Sequence, residues 1–105
     1  MDIPEIDVVA AMSAVTGGAN LIDVRERVEW DAGHAPAALF LPMSELGDRL
    51  DELPEGELLV ICHSGARSAR VVEALLHRGY DAINVAGGMV AWQAAGGDTV
   101  PAPSV

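Results

Sequence analysis

Short apolar runs alternate with segments of helical hydrophobic spacing along this chain of 105 residues, and this alternation limits the folds open to it. The apolar runs predict strands, whereas Val71, Val72 and Leu75 recur as the residues on one face of a helix do. Strands separated by helices predict an α/β fold, in which helices cover both faces of a parallel sheet. The predicted strands are residues 21–24, 38–41, 58–61 and 82–85, with a further short strand within residues 1–6.

The segments between the strands contain residues that typically begin and end helices. Asp7 is a predicted N-cap, and Gly79 ends the helix predicted over residues 68–78. Gly87 and Gly88 predict a turn that opens the last helix. Two shorter helices are predicted, one within residues 25–33 and one over residues 43–53.

The length and charge of the chain exclude several classes of function. A single domain over residues 1–97 accounts for most of the length, and the Gly- and Pro-containing residues 98–105 predict a loose C-terminal tail. Sixteen acidic residues against six basic ones, none of them lysine, produce a net charge of −10. This charge excludes general binding to nucleic acid and disfavours anionic membranes, so we expect neither as a partner.

We expect the protein to be cytoplasmic, with its one cysteine as a reduced thiol. The sequence shows no secretion signal and no apolar run that is long enough to span a bilayer. Cytoplasmic conditions keep Cys62 reduced, and one cysteine forms neither an internal disulfide nor a thiolate-rich zinc site. We therefore expect no metal centre.

The segment from Cys62 to Ser68 carries the clearest chemical signal. Cys62 ends the most apolar predicted strand and precedes a helix, at the edge of an α/β sheet where sites form. The free N–H groups and the dipole of a helix N-terminus stabilise a thiolate, and Gly65 allows a tight turn with inward-pointing amides. Arg67 adds a permanent positive charge. We therefore interpret Cys62 as a nucleophile rather than as a core residue.

Three motifs in a fixed order resemble the single-domain rhodanese-like sulfurtransferases. Cys-His-Ser-Gly-Ala-Arg-Ser, residues 62–68, resembles the active-site loop of that family. The upstream signature of the family is similar to Leu-Ile-Asp-Val-Arg-Glu at 21–26, together with residues 29–30 and 33–35. The downstream signature is similar to Ala-Ile-Asn-Val-Ala-Gly-Gly at 82–88, together with Trp92. The sequence departs from the family at residues 35–38, where Ala-Pro-Ala-Ala stands in place of the common Ile-Pro-Gly-Ala.

The resemblance implies a rhodanese-like α/β fold with a central parallel five-stranded sheet, and a function in sulfur transfer. Cys62 would take the sulfane sulfur of a small anionic donor such as thiosulfate as a persulfide and pass it to a thiophilic acceptor. That acceptor is cyanide in an assay and a thiol or a protein in the cell, and the reaction needs no organic cofactor. The residues implied to bind the substrate are His63, Ser64, Gly65, Ala66, Arg67 and Ser68.

Three residues near the predicted site have structural roles in this interpretation. The resemblance implies that Asp23 helps to hold the framework of the loop and that Arg25 forms an ion pair, for which Glu29 is the expected partner. His34 lies in a predicted loop, where we expect its ring to form hydrogen bonds rather than to bind a metal.

Two other functions remain compatible with a cysteine in such a loop. A cysteine phosphatase or an arsenate reductase also combines a thiolate, amides and an arginine, but the phosphatase loop is one residue longer than the four residues between Cys62 and Arg67. A non-catalytic rhodanese-like binding module is the second alternative, although such modules often lack the cysteine. The sequence does not distinguish turnover of thiosulfate from delivery of sulfur to a protein.

Overall fold

A computed structural model of the chain, described for residues 2–101, consists of a five-stranded sheet covered by helices. Strands and helices alternate as predicted, which confirms the α/β fold. The strands are β1 (Glu5–Ile6), β2 (Asn20–Asp23), β3 (Leu39–Phe40), β4 (Leu58–Ile61) and β5 (Ala82–Val85). The α-helices are α1 (Val8–Thr16), α2 (Arg27–Ala32), α3 (Met43–Leu46), α4 (Ala66–His77) and α5 (Gly88–Ala94).

All strand pairs in the sheet are parallel, and the strand order is β1-β5-β4-β2-β3. The carboxyl ends of the strands therefore lie along one edge of the sheet. The strand β4 is central, between β5 and β2, and its last residue, Ile61, is in register with Asp23 of β2. Cys62, which follows Ile61, thus lies in the middle of the edge where sites form in this class of sheet.

The side chains of β4 alternate between two hydrophobic clusters, one on each face of the sheet. Leu58 and Val60 belong to the cluster that contains the inner face of α4, and Leu59 and Ile61 belong to the cluster that contains residues of α1 and α5. Because both faces are covered, every residue of β4 is buried, as its apolar composition predicts. Cys62 belongs to the cluster on the α4 face.

The helix ends confirm part of the sequence interpretation and correct one helix. Asp7 caps α1, since its Oδ1 accepts a hydrogen bond of 2.8 Å from the Ala10 amide. The helix predicted over residues 43–53 is wrong, because α3 ends at Leu46 and a separate 3₁₀ helix covers Leu50–Glu52. Gly47 follows the end of α3, and glycine is among the residues that least favour continuation of a helix.

Residues 98–100 of the predicted tail contact the domain. The backbones of His34 and Val100 exchange two hydrogen bonds of 3.0 and 2.7 Å, and the Trp92 indole N–H donates to the Asp98 carbonyl at 3.0 Å. Residues 102–105 of the predicted tail lie outside the described residues. Within residues 2–101, none of the helices combines the length and apolar character needed to cross a membrane.

Candidate active site

The Cys62 sulfur lies under the N-terminus of α4, where two hydrogen-bond donors converge on it. The Gly65 amide lies 3.1 Å from Sγ, and the Ser68 hydroxyl lies 3.2 Å from it. Cys62 is 1% exposed and Ser68 is fully buried, so both donors act where water does not compete. The turn between β4 and α4 thus holds the sulfur among protein donors.

These donors favour the ionised form of the thiol. Burial by itself raises the pKa of Cys62, but hydrogen bonds from the Ser68 hydroxyl and from the amides of Ser68, Gly65 and Ser64 act in the opposite direction. Their combined effect is larger, and the pKa of Cys62 lies below its ordinary value. Cys62 therefore has the electrostatic environment of a nucleophile.

Gly65 allows the turn to bend so tightly that its own amide faces the sulfur. Its φ of 105° lies in the left-handed region, which other residues adopt only with strain. A Cβ at this position would also lie 3.2 Å from the Gly87 nitrogen. Around this turn, His63, Ser64 and Ala66 are exposed to solvent, so they form the outer rim of the predicted substrate-binding segment.

The N-terminus of α5 supports the same loop from the side of β5. The Met89 amide donates to the Cys62 carbonyl at 2.8 Å, and the Val90 amide donates to the His63 carbonyl at 3.0 Å. A Cβ on Gly88 would lie 2.5 Å from both of these carbonyl oxygens. The sequence predicts only a turn at Gly88, although a pair of glycines directly before a helix is a signal that could indicate this contact.

Arg67, in the first turn of α4, forms an ion pair with Glu29 of α2. We call the region around this pair and His63 the mouth of the site. Its two terminal nitrogens each lie 2.7 Å from one Glu29 oxygen, a bidentate arrangement. The hydrogen bonds from Arg67 lower the pKa of Glu29 to about 2, although partial burial opposes them. The same hydrogen bonding raises the pKa of Arg67. The carboxylate of Glu29 thus fixes the position of the arginine.

Arg25 pairs with Asp23, and the expected pair with Glu29 is wrong. The Arg25 guanidinium donates to both Asp23 oxygens, at 2.9 to 3.2 Å, and also to the Gly33 carbonyl at 2.8 Å. The partners differ from the expectation because Glu29 already binds Arg67, while the short link from β2 brings Arg25 back onto Asp23. Both residues are buried, and their contacts join the end of β2 to the end of α2.

His34 packs beside the site as part of an aromatic stack. Its ring lies 3.5 Å from the Trp30 ring and almost parallel to it, and its Nδ1 lies 3.0 Å from the Trp30 carbonyl oxygen. These contacts fit the predicted hydrogen-bonding role. Within residues 2–101, histidine, cysteine and carboxylate side chains form no group of three that could hold a metal ion.

An open groove of about 300 Å³ lies beside the exposed part of the loop. Its walls carry charged and polar groups from α2 and α5 as well as the side of the loop, so a small polar molecule can approach there. The polar and charged lining residues are Arg25, Glu29, His63 and Gln93.

Comparison with known proteins identifies the family. The profile of the rhodanese-like domain matches residues 7–95, most of the chain. The chain belongs to the rhodanese-like domain family. In Bacillus subtilis (strain 168), the protein named "Putative sulfurtransferase YtwF" is 36% identical over 104 residues, which are 96% of this chain and 98% of YtwF. The family predicted from the three motifs is therefore confirmed.

A second relative and a solved structure are also similar to this chain. "Putative sulfur carrier protein YrkF" of the same organism is 37% identical over 94 residues, which are 86% of this chain and 51% of YrkF. The chain thus spans about half the length of that relative. The crystal structure of a rhodanese-like domain protein from Staphylococcus aureus superposes with a TM-score of 0.81 at 33% identity, covering 86% of this chain and 91% of that one. This similarity agrees with the predicted five-stranded parallel fold.

Proposed function

We propose that this protein is a sulfurtransferase that carries sulfur on Cys62 as a persulfide. The observation that carries the proposal is the convergence of the Gly65 amide and the Ser68 hydroxyl on a buried cysteine sulfur. Relatives named sulfurtransferases and a sulfur carrier support the same class of reaction. The donor in this proposal is a small anion with a sulfane sulfur, of which thiosulfate is the simplest.

In the first half-reaction, the Cys62 thiolate attacks the outer sulfur of thiosulfate. A bond forms between Sγ and that sulfur, and the sulfur–sulfur bond of thiosulfate breaks with its electron pair remaining on sulfite. The product is a Cys62 persulfide anion, and the total charge is unchanged. The rim residues His63, Ser64 and Ala66 surround the new terminal sulfur in this proposal, and amides of the turn stabilise its charge.

In the second half-reaction, a thiophilic acceptor attacks the terminal sulfur, and the electron pair of the sulfur–sulfur bond returns to Cys62. With cyanide, the product is thiocyanate and the thiolate is regenerated. A cellular thiol or a protein fills this role in the proposal. The groove beside His63 offers such an acceptor a path to the loop.

The arrangement of Arg67 favours sulfur transfer over phosphate-ester chemistry. A phosphatase arginine must direct its guanidinium at the phosphate, whereas both terminal nitrogens of Arg67 are bound to Glu29. The loop is also one residue shorter than in those enzymes. In our proposal Arg67 adds positive charge near the mouth of the site without binding the transferred sulfur. The presence of Cys62 with these donors likewise favours catalysis over a purely binding role.

The direct test is the intact mass of the reduced protein after exposure to thiosulfate, with Cys62→Ser as the matched variant. We expect the wild type to gain one sulfur atom and to lose it again when cyanide is added. Cys62→Ser keeps the fold but should gain no sulfur and show no turnover, because a serine hydroxyl is not ionised near neutral pH. Sulfur transfer by Cys62→Ser would disprove the assignment of the nucleophile.

The same samples distinguish the alternatives. If the wild type gains no sulfur from thiosulfate, the thiosulfate reaction is wrong, and persulfidated protein donors and phosphate esters should be tested in turn. Hydrolysis of a phosphate ester that depends on Cys62 would favour the phosphatase alternative. A thiol that reacts with none of them would favour the binding module.

A further inference from the structure

Asn84 is a buried polar residue in the middle of an apolar strand, and the sequence interpretation assigned it no role. It lies in β5 and is 1% exposed. Its side-chain nitrogen donates to a Glu5 carboxylate oxygen at 2.8 Å and to the Gly65 carbonyl oxygen at 3.3 Å. The amide thus contacts the loop that holds the Cys62 sulfur, 19 residues earlier in the chain.

The two acceptors determine which way the Asn84 amide faces. Both the Glu5 carboxylate and the Gly65 carbonyl accept hydrogen bonds and donate none, so only the NH₂ group can face them. This orientation leaves Asn84 Oδ1 buried without a donor among the described residues. A buried acceptor without a partner is unfavourable, and its presence indicates that the NH₂ contacts matter at this position.

The Gly65 carbonyl oxygen has three possible donors but two lone pairs. The Ala69 amide reaches it at 3.1 Å as part of α4, the Asn84 side chain reaches it at 3.3 Å, and the Ser68 hydroxyl lies 3.2 Å away. The two N–H groups fill both lone pairs. The Ser68 hydroxyl has one proton and a second acceptor, the Cys62 sulfur, at the same distance of 3.2 Å.

We propose that Asn84 is a positioning residue: its side-chain amide occupies the Gly65 carbonyl and so directs the single Ser68 proton to the Cys62 sulfur. Asn84 does not touch the reacting sulfur and acts on it through Ser68. Two charged groups act on this network: Glu5 accepts a hydrogen bond from Asn84, and Arg67 attracts the Cys62 thiolate electrostatically. His63 adjoins Cys62 in the chain.

The test uses the fact that the chain has one cysteine, so alkylation by iodoacetamide reports on Cys62 alone. The rate is measured against pH for the wild type and for Asn84→Leu, which has the same branching, a larger side chain and no donor. We expect the midpoint of the profile to move to higher pH and the rate below the midpoint to fall by about fivefold, the equivalent of one hydrogen bond. Asn84→Ala serves if the leucine prevents folding.

The deciding comparison is made in the Ser68→Ala background. Because Asn84 acts through Ser68, adding Asn84→Leu to Ser68→Ala should change the alkylation profile by less than about twofold. The same fivefold change in both backgrounds would overturn the proposal, since Asn84 would then act on the loop as a whole. An unchanged profile in a folded Asn84→Leu variant would overturn it as well.

The matched control is Glu5→Gln, which removes the charge beside Asn84 but retains an acceptor for its amide. We expect its alkylation profile to match that of the wild type. A shift as large as that of Asn84→Leu would assign the effect to the Glu5 charge and contradict the proposal. Because no sulfur donor is present, these results are independent of whether the protein transfers sulfur.

Discussion

The helices α4 and α5 begin in the same way but use their N-termini differently. Each follows a glycine in the left-handed region, Gly65 with φ of 105° and Gly87 with φ of 82°, and neither has a side-chain cap. The N-terminus of α4 directs the Gly65 amide and the Ser68 hydroxyl at a side-chain sulfur. The N-terminus of α5 directs its amides at the backbone carbonyls of Cys62 and His63.

The difference separates two tasks within one small region: the α4 donors stabilise the thiolate, and the α5 donors hold the backbone of the loop. Donors that point at Cys62 Sγ stabilise charge on the sulfur, so their loss should change the thiol more than the fold. Donors that point at backbone carbonyls fix the position of the loop, so their loss should change both together. Substitutions on the two helices can test this division.

The substitution Gly88→Ala, on the α5 side, should change the protein most. A Cβ at this position overlaps two backbone carbonyl oxygens, and the φ of 57° is also unfavourable for alanine. We expect a loss of about 3 kcal/mol in the free energy of unfolding together with a large loss of Cys62 reactivity. Urea denaturation and alkylation of the cysteine measure the two effects.

The matched control is Gly79→Ala, at a glycine with φ of 87° and no atom within 4 Å of the added Cβ. It introduces the left-handed strain without the overlap and should lower the free energy of unfolding by about 1–2 kcal/mol, with unchanged alkylation. Equal effects of the two substitutions would show that the contact between α5 and the loop is unimportant.

An intermediate effect is expected for Ser68→Ala, on the α4 side. Loss of the hydroxyl removes a donor to Sγ, so the pKa of Cys62 should rise, and the alkylation rate below the midpoint should fall by about fivefold. The free energy of unfolding should change by about 1 kcal/mol or less. A stability loss as large as that of Gly88→Ala would remove the distinction between the two helices.

The smallest effect is expected for Glu29→Gln, which tests the ion pair at the mouth of the site. The pKa of Glu29 in the folded protein, about 2, lies below its ordinary value of 4.5, so ionisation of Glu29 stabilises the fold above pH 4.5. This stabilisation is lost as the pH falls from 4.5 towards 2. At pH 7 we expect a change of about 1 kcal/mol or less, because both side chains are about one-third exposed.

The measurement is the free energy of unfolding at several pH values for the wild type and Glu29→Gln. The variant should lose less stability than the wild type between pH 4.5 and pH 2. Glu73→Gln, at an exposed carboxylate with no ion pair among the described residues, is the control, and its curve should run parallel to that of the wild type. Parallel curves for the wild type and Glu29→Gln would contradict the assigned pKa.

Much of the fold followed from local patterns. The strands β4 and β5 have the predicted bounds, because a short apolar run between turn residues has few other solutions. The start of α4 lies two residues before the predicted one, since the left-handed Gly65 lets the helix begin at Ala66. The sequence does not predict the break after α3, because Leu46 and Leu50 keep a helical spacing across Gly47.

The candidate site likewise contains residues that the sequence predicts and contacts that it does not predict. Cys62, Gly65 and Ser68 were predicted because they are neighbours in sequence, and the turn brings neighbours together. The sequence does not predict the contacts of Asn84 and Gly88 with this turn, because these contacts join residues that are 19 to 26 positions apart. The spacing of apolar residues within a strand does not show which distant segment of the chain its side chains will contact.

The family, the α/β class and the position of the cysteine at the end of a strand can all be predicted from the order of the amino acids. These depend on residue type and on the spacing of near neighbours. Packing of the folded chain selects the remaining partners: Arg67 binds Glu29, Arg25 binds Asp23, and the Gly65 carbonyl accepts a hydrogen bond from the Asn84 amide. Long charged side chains can reach several carboxylates, and the choice among them is made by the packing of segments that are distant in the chain.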